Sequence, residues 1–316
     1  MKNSMYEVAV ALAKKQTTQI DTFSEDAVLV SREIPFQAAT HGIKNVFERV
    51  KDVTAPAIVD LDSPMPLVTA VTELGETPLF KIGGTIEMPK DKVEAMGGKT
   101  AYLASKLPAI LKLAGAQLDK AVYYDVLLRK ALQFGKVINA KSSATASQKQ
   151  YYSLVAIHWA NGENVGLYNN NRDNGQEGTF FAQNPLWGGN LGKLSDGATG
   201  WAVDLTAMLG FQIENQKYID AIVNIDADNL PSYEQLISIP NRIRGNANNS
   251  RIYANPTLID LISAKYSRAS GEGSYSSLIT VDADGNVRIK GIPVIGDYNI
   301  LEGTEPGIPA NQINAA

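Results

Sequence analysis

No cysteine occurs in these 316 residues. Disulfides and thiolate metal sites are therefore excluded, and a reducing folding compartment is the simple reading. Histidine is almost as scarce: His41 and His158 are the only two, which leaves little material for base chemistry near neutral pH. No apolar run approaches bilayer-spanning length, so no membrane partner is expected. The opening stretch MKNSMYEVAVALAKKQ interrupts its apolar stripe with Glu7, Lys14 and Lys15 and lacks the h-region of a signal peptide. The reading is a soluble chain that is not exported by the general route. Basic clusters are missing too. With 33 Asp and Glu against 29 Lys and Arg, the formal net charge is −4, unlike the basic stripe of a dedicated nucleic-acid binder. A surface that encloses nucleic acid without gripping it stays allowed.

The motifs of catalysis are absent as well. There is no H-E-x-x-H, no C-x-x-C, no phosphate-binding glycine loop and no G-x-S-x-G elbow. His158 lies in an alternating run beside Trp159, and His41 sits in a turn, ATHGIKN; both read as structural. The pairs Asp60/Asp62, Asp226/Asp228 and Asp282/Asp284 invite a metal, but the run from Asp282 to Asn286 lacks the third ligand and distal glutamate of a calcium loop. Solvated turns are the better reading. Tyr123-Tyr124 and Tyr151-Tyr152 have no basic surroundings for stacking on bases, so they read as packing. No catalytic residue, cofactor or metal is expected.

What the chain does contain is ordered pattern. At 44% hydrophobic and 20% charged residues it has an ordinary globular composition, enough for one large domain or two of usual size. A short amphipathic helix is expected over 5–15, then a polar extended stretch to about 42. From Asn45 to Met88 the pattern alternates with period two around Pro56, Pro64 and Pro66. This predicts a long two-stranded arm with a prolonged tip, a form that is marginal alone in water and needs a partner surface. PKDKVEAMGG reads as a short helix stopped at Gly97-Gly98. A long helix follows, with Leu111, Ala114, Leu118, Val122, Leu128 and Leu132 on its apolar face and Lys112, Asp119, Lys120, Asp125, Arg129 and Lys130 on the others. Pro108 is expected in its first turn or at a kink just before it.

YYSLVAIHWANGENVGLYNN then reads as strand, turn at Asn161-Gly162, strand. Residues 169–200 are rich in Asn and Gly and read as loop. Trp201–Gln212 and Lys217–Ile225 read as long strands bent at Glu214-Asn215, and a helix is expected near YEQLISIPNRI. The last module runs from 251 to 301. It predicts a strand at RIY, a helix capped by Asn255 with Pro256 in its first turn, a stripe of Leu258, Ile259, Leu261 and Ile262, a hairpin at Asp284-Gly285, and a GIPV strand.

Taken in order, VYYDVLLRKALQFG, SLVAIHWANGENVGLY, MLGFQIENQKYIDAIVNID and RIYANPTLIDLI…GIPVIGDYNIL resemble the major capsid proteins of tailed bacteriophages, nearest in order to those of short-tailed phages. The resemblance covers nearly the whole chain, and co-linear order carries it. It implies an α+β, Hong Kong 97-like capsid fold: an N-terminal arm (1–43), an E-loop β-hairpin (44–88), and a P-domain with the spine helix (89–150, the helix at about 104–136). The long P-domain strands with an Asn/Gly-rich loop insertion would take 151–226, and an A-domain with the C-terminal segment 227–316. It further implies hexamers and pentamers of the chain itself, tiling an icosahedral shell around double-stranded DNA that is not read by sequence. Scaffolding, portal and decoration proteins are the partners of such a shell. The chain would then be a virion protein assembled in the bacterial cytoplasm, and not an enzyme. Arg49, Lys51, Glu73 and Glu76 on the E-loop are the candidate contacts with adjacent subunits. An encapsulin-type compartment of the same fold is the alternative, and a soluble α/β enzyme without recognisable motif is the alternative of another class.

Overall fold

The computed structural model describes residues 26–59, 64–169, 182–267, 278–281 and 285–313. The expected helix over 5–15, the pairs Asp60/Asp62 and Asp282/Asp284, and residues 170–181 of the Asn/Gly-rich stretch lie outside them. In chain order the first strands are β1 (Phe36–Ala38), β2 (Lys44–Val53), β3 (Ala70–Pro78), β4 (Phe80–Pro89), β5 (Val137–Asn139), β6 (Lys149–His158), β7 (Asn164–Tyr168) and β8 (Ala182–Pro185). They continue with β9 (Gly192–Lys193), β10 (Thr199–Ile213), β11 (Ile219–Ile225), β12 (Ser250–Ala254), β13 (Ile279–Val281), β14 (Val287–Ile289), β15 (Ile292–Gly296) and β16 (Glu305–Pro306). These residues form two compact units, one of Phe36–Glu87 with Gly166–Gln212 and the other of the remaining chain.

In the first unit, β2 and β3 form the two-stranded ribbon, in register from Lys44↔Pro78 to Val53↔Ala70 with a bulge between Val50 and Asp52. The alternating stretch to Met88 is thus not one ribbon. Its last third, β4, leaves β3 and pairs with β10 in a sheet of order β1-β7-β10-β4, on which β8 and β9 also pair with β10. Gly83 permits this: a Cβ there would stand 2.2 Å from the Leu205 carbonyl oxygen, so only glycine lets the two backbones meet. Phe211 gathers Phe36 and Phe80, each ring centroid 6.0 Å from its own. Phe47 lies over Gly75 on the facing strand, where a Cβ would come within 2.5 Å of the ring, so an aromatic covers the residue that has no side chain.

The second unit is built on the sheet β13-β14-β15-β12-β6-β11-β5, with β16 added on β6. All seven residues of β11 are buried, and five successive residues of β6, Ser153–Ile157, are buried too. Such near-continuous apolar runs mark strands covered on both faces. On one face Leu154, Ala156, Ile222 and Ile252 join Leu236 and Ile239 of the helix Tyr233–Arg242 and Leu258 and Ile262 of the helix Pro256–Ser267. Each of the Leu and Ile side chains among them contributes roughly 1.5–3 kcal/mol on full burial. On the other face Ser153 meets the long helix through the Tyr123 hydroxyl, 3.0 Å away. Both shorter helices begin where their sequence says. Ser232 and Gln235 make a reciprocal capping box, and Asn255 Oδ1 accepts the Thr257 N–H at 2.9 Å. β10 and β11 are neighbours in the chain but belong to different sheets.

The short helix Lys90–Ala95 stops at Gly97 and Gly98, both at positive φ, as expected. The long helix departs from expectation. It runs Lys99–Ala121, continues through a π-helical stretch Val122–Leu128 and ends with Arg129–Gln133. Pro108 therefore sits inside it, not in its first turn. The residue loses one backbone donor, and the Ser105 hydroxyl in the preceding turn bonds to the Tyr102 carbonyl at 2.8 Å. Asp119 also differs. The polar face expected for it is instead fully buried at that position, because residues 26–34 pack over it.

Candidate subunit-contact surface

The ribbon holds the four charges singled out from sequence, and the structure places all of them in cross-strand pairs within the chain. Glu76 receives Lys44 Nζ at 2.6 Å. Glu73 lies 3.8 Å from Arg49 and 3.7 Å from Lys51. All are about half exposed, and pairs of that kind contribute at most about 1 kcal/mol each. They hold the two strands in register; nothing in their geometry is chemical.

What sequence reasoning passed over is the apolar complement of these charges. Val50, Val53, Ile58, Met65, Leu67, Val68, Val71 and Leu74 are all at least half exposed, Leu74 at 77% and Ile58 at 104%. Single exposed aliphatics are ordinary, but here they recur on both faces of one ribbon and at its tip, uncovered by the described residues of the chain. The signal was present in the period-two pattern. A ribbon that carries valine and leucine on a strand pair without a sheet behind it has no core of its own to bury them in. The long helix adds Ile110 and Leu113, three residues apart and both exposed.

The residues weighed for chemistry are occupied structurally. His158 Nδ1 lies 2.9 Å from Ser250 Oγ, its ring packs 4.8 Å from Tyr218, and burial holds its pKa below the ordinary value. His41 Nδ1 lies 3.0 Å from its neighbour Thr40 Oγ1. Asp226 closes a turn by accepting the N–H groups of Asp228 and Asn229 and the Asn229 amide, and Lys141 Nζ donates to it at 2.8 Å. Burial pushes that carboxyl up, but Lys141 and Asn229 outweigh it and hold it below the usual range. Among the described residues no three acidic or histidine side chains are placed to hold a metal ion, and no helix is long and apolar enough to cross a membrane.

The buried polar groups that sequence did not reveal lie under the long helix. Its π-helical stretch turns the consecutive Tyr123 and Tyr124 toward one network. Tyr124 donates to Glu305 Oε1 at 2.7 Å and accepts the Leu301 N–H at 3.0 Å, while Ser153 donates to the same Glu305 oxygen at 3.0 Å. Burial pushes the Glu305 carboxyl up to about 7 against these hydrogen bonds. Asn224, at φ 58, exchanges hydrogen bonds with the Ile308 backbone at 2.7 and 2.8 Å. The C-terminal segment is thereby tied to the sheet by side chains on three elements.

No family model and no curated protein sequence matches this chain. Solved structures do. A chain of the bacteriophage Epsilon15 structure is 16% identical and superposes with a TM-score of 0.61 over 93% of this chain and 92% of its own. The bacteriophage JBD30 capsid gives 10% identity and a TM-score of 0.54, over 92% of this chain and 98% of its own. The encapsulin of Synechococcus elongatus gives 8% identity and 0.43 over 68% of this chain, a likeness too slight to weigh. The mixed helix-and-sheet fold is that of the Hong Kong 97-like phage capsid structures.

Proposed function

We propose that this chain is a major head protein, many copies of which tile an icosahedral shell around a phage genome. One observation supports this above the rest: a shared fold over more than nine-tenths of both chains, on a body whose ribbon carries a row of uncovered apolar side chains. In this reading the ribbon is the E-loop and the long helix the spine. The segment 26–43 belongs to the N-terminal arm, β6 and β11 are strands of the P-domain, and β12 with the helices Tyr233–Arg242 and Pro256–Ser267 belongs to the A-domain. Copies meet as hexamers and pentamers. Scaffolding, portal and decoration proteins are partners of the same shell.

The ribbon's aliphatic row carries the contact energy in this reading, because burying each exposed side chain is worth more than a solvated ion pair. Arg49, Lys51, Glu73 and Glu76 form its charged rim and set register against the neighbour. Turnover is not part of the job. DNA is held by enclosure, as befits a net charge of −4.

The test is sedimentation and electron microscopy of the expressed protein, alone and with the products of neighbouring reading frames. Closed particles of uniform diameter are expected. Monomers or small oligomers only, even with scaffold and crowding, would overturn the reading. Nuclease-resistant DNA inside particles from the native source separates a genome container from a compartment built around an enzyme.

A further inference from the structure

The long helix is the basic element of an acidic chain. Residues 99–136 hold seven of the 29 Lys and Arg but only two of the 33 Asp and Glu. One of those two, Asp119, is fully buried, its carboxylate oxygens accepting the Leu29 and Val30 N–H groups at 2.9 Å each. Along the sequence these cations are too widely spread to form a run, and the helical turn gathers them. Lys99, Lys106, Ile110, Leu113, Gln117 and Lys120 follow one another in steps of seven, four, three, four and three, the spacing of a single face.

Two other sides of the helix are covered within its own unit. Towards the sheet, Leu107 and Leu118 are buried, and Tyr123 in the continuing π-helical stretch reaches Ser153. Towards residues 26–34 lie Asp119 and Gly115, where a Cβ would stand 2.8 Å from the Ala27 Cβ. Lys112 belongs to that covered side and pairs with Asp26 at 3.5 Å. The third side is different. All six of its residues are exposed, Ile110 at 39% and Leu113 at 46%, and Lys106 and Lys120 have no ion-pair partner among the described residues.

We propose that this face is a docking site for an acidic amphipathic helix of a different polypeptide. Three cations spread over about 30 Å of helix, with no acid between them on the face, call for carboxylates. Ile110 and Leu113, set between Lys106 and Lys120, call for an apolar seam. A second helix laid along the first supplies both at once: apolar residues three or four apart, with Glu or Asp on their flanks. Other occupants lack one half of that chemistry. The same face of a second copy would set lysine against lysine. Residues 1–25 carry three basic and three acidic residues, with Lys14 and Lys15 closing their apolar stretch, so the start of this chain brings no surplus of negative charge. Nucleic acid would meet the lysines through its phosphates and leave the aliphatic pair in water. The face belongs to a single chain, and the inference stands whether or not copies assemble.

Fluorescence anisotropy on the full chain tests it with a labelled synthetic helix about 20 residues long, the span of the face, bearing leucine at a and d positions and glutamate on both flanks. A counterpart with lysine at every glutamate and a DNA duplex of similar length are the other probes. The acidic helix should bind at low salt and the basic one should not. Lys106→Glu with Lys120→Glu should weaken binding by at least about tenfold, and Ile110→Gln with Leu113→Gln by about tenfold. All four positions are exposed, so both variants should keep the wild-type circular dichroism. Equal binding of the two peptides overturns the proposal, as does indifference to either pair of substitutions. Duplex DNA bound as tightly, through the lysines alone, would make the face a phosphate contact instead. When the products of neighbouring reading frames are co-produced, a carbodiimide should join Lys106 or Lys120 to a carboxylate of a second polypeptide; cross-links within this chain alone count against the proposal.

Discussion

Glu305 lies 5% exposed at the end of a chain segment, yet it accepts hydrogen bonds from two side chains that sit 152 and 181 positions away. A carboxylate held like this is structural, since it is buried and its Oε1 is taken by two hydroxyl donors. Replacing Glu305 with Ala strands the Tyr124 and Ser153 hydroxyls in the interior, and should cost about 1–3 kcal/mol in urea denaturation. The isosteric Glu305→Gln separates charge from hydrogen bonding. Because burial raises the folded pKa to about 7 from 4.5, the wild type's contribution is complete below the unfolded value and is lost as pH rises through 7. Glu305→Gln should therefore match the wild type near pH 5 and exceed it above pH 7. A wild-type stability that climbs between those values would contradict the assignment.

The ribbon, the long helix and the capped helices differ in how far their sequences announced them. Asn255 before Pro256 and Gly97-Gly98 produce the predicted cap and stop, and the Ser232–Gln235 box, which was not predicted, is equally local, because all partners lie within a few residues. Asp119 could not be read that way. A lone carboxylate beside Lys120 reads as surface, and its burial is decided by a segment 90 positions earlier. The division of the alternating stretch, with β4 leaving the ribbon for β10, depends on Gly83 meeting Leu205 across more than a hundred residues. The charges of the ribbon were legible and its aliphatics were not weighed, although the latter are the uncovered groups. Replacing Val71 and Leu74 together with Lys should leave the unfolding free energy of the monomer, read by urea denaturation, within about 0.5 kcal/mol, as exposed positions tolerate change. Particle yield should fall at least tenfold; unchanged yield by sedimentation would show that the ribbon's apolar row is not the contact.

At the scale of the molecule, 29 basic and 33 acidic residues nearly cancel, and the ribbon's charges already have partners in their own chain. Association led by apolar surface is little screened by salt, whereas association led by exposed charge weakens as the Debye length shrinks. Assembly should thus be as complete in about 1 M NaCl as in about 0.1 M, measured by light scattering; dissolution at high salt would give the lead to Arg49, Lys51, Glu73 and Glu76 instead. The second unit carries one more consequence. Its sheet is held by long ladders of backbone hydrogen bonds, while the 26–34 segment is fastened by side chains (Asp119, the Asp26–Lys112 and Glu33–Arg251 pairs) and the C-terminal segment by Asn224, Glu305 and the two-residue pairing of β16 with β6. Under a pull applied at either end, such single fasteners give way one after another, before a ladder whose bonds share the load. Pulling on the full chain by optical tweezers should therefore release the two end segments in separate low-force steps before the sheet yields; a single cooperative rupture would contradict it.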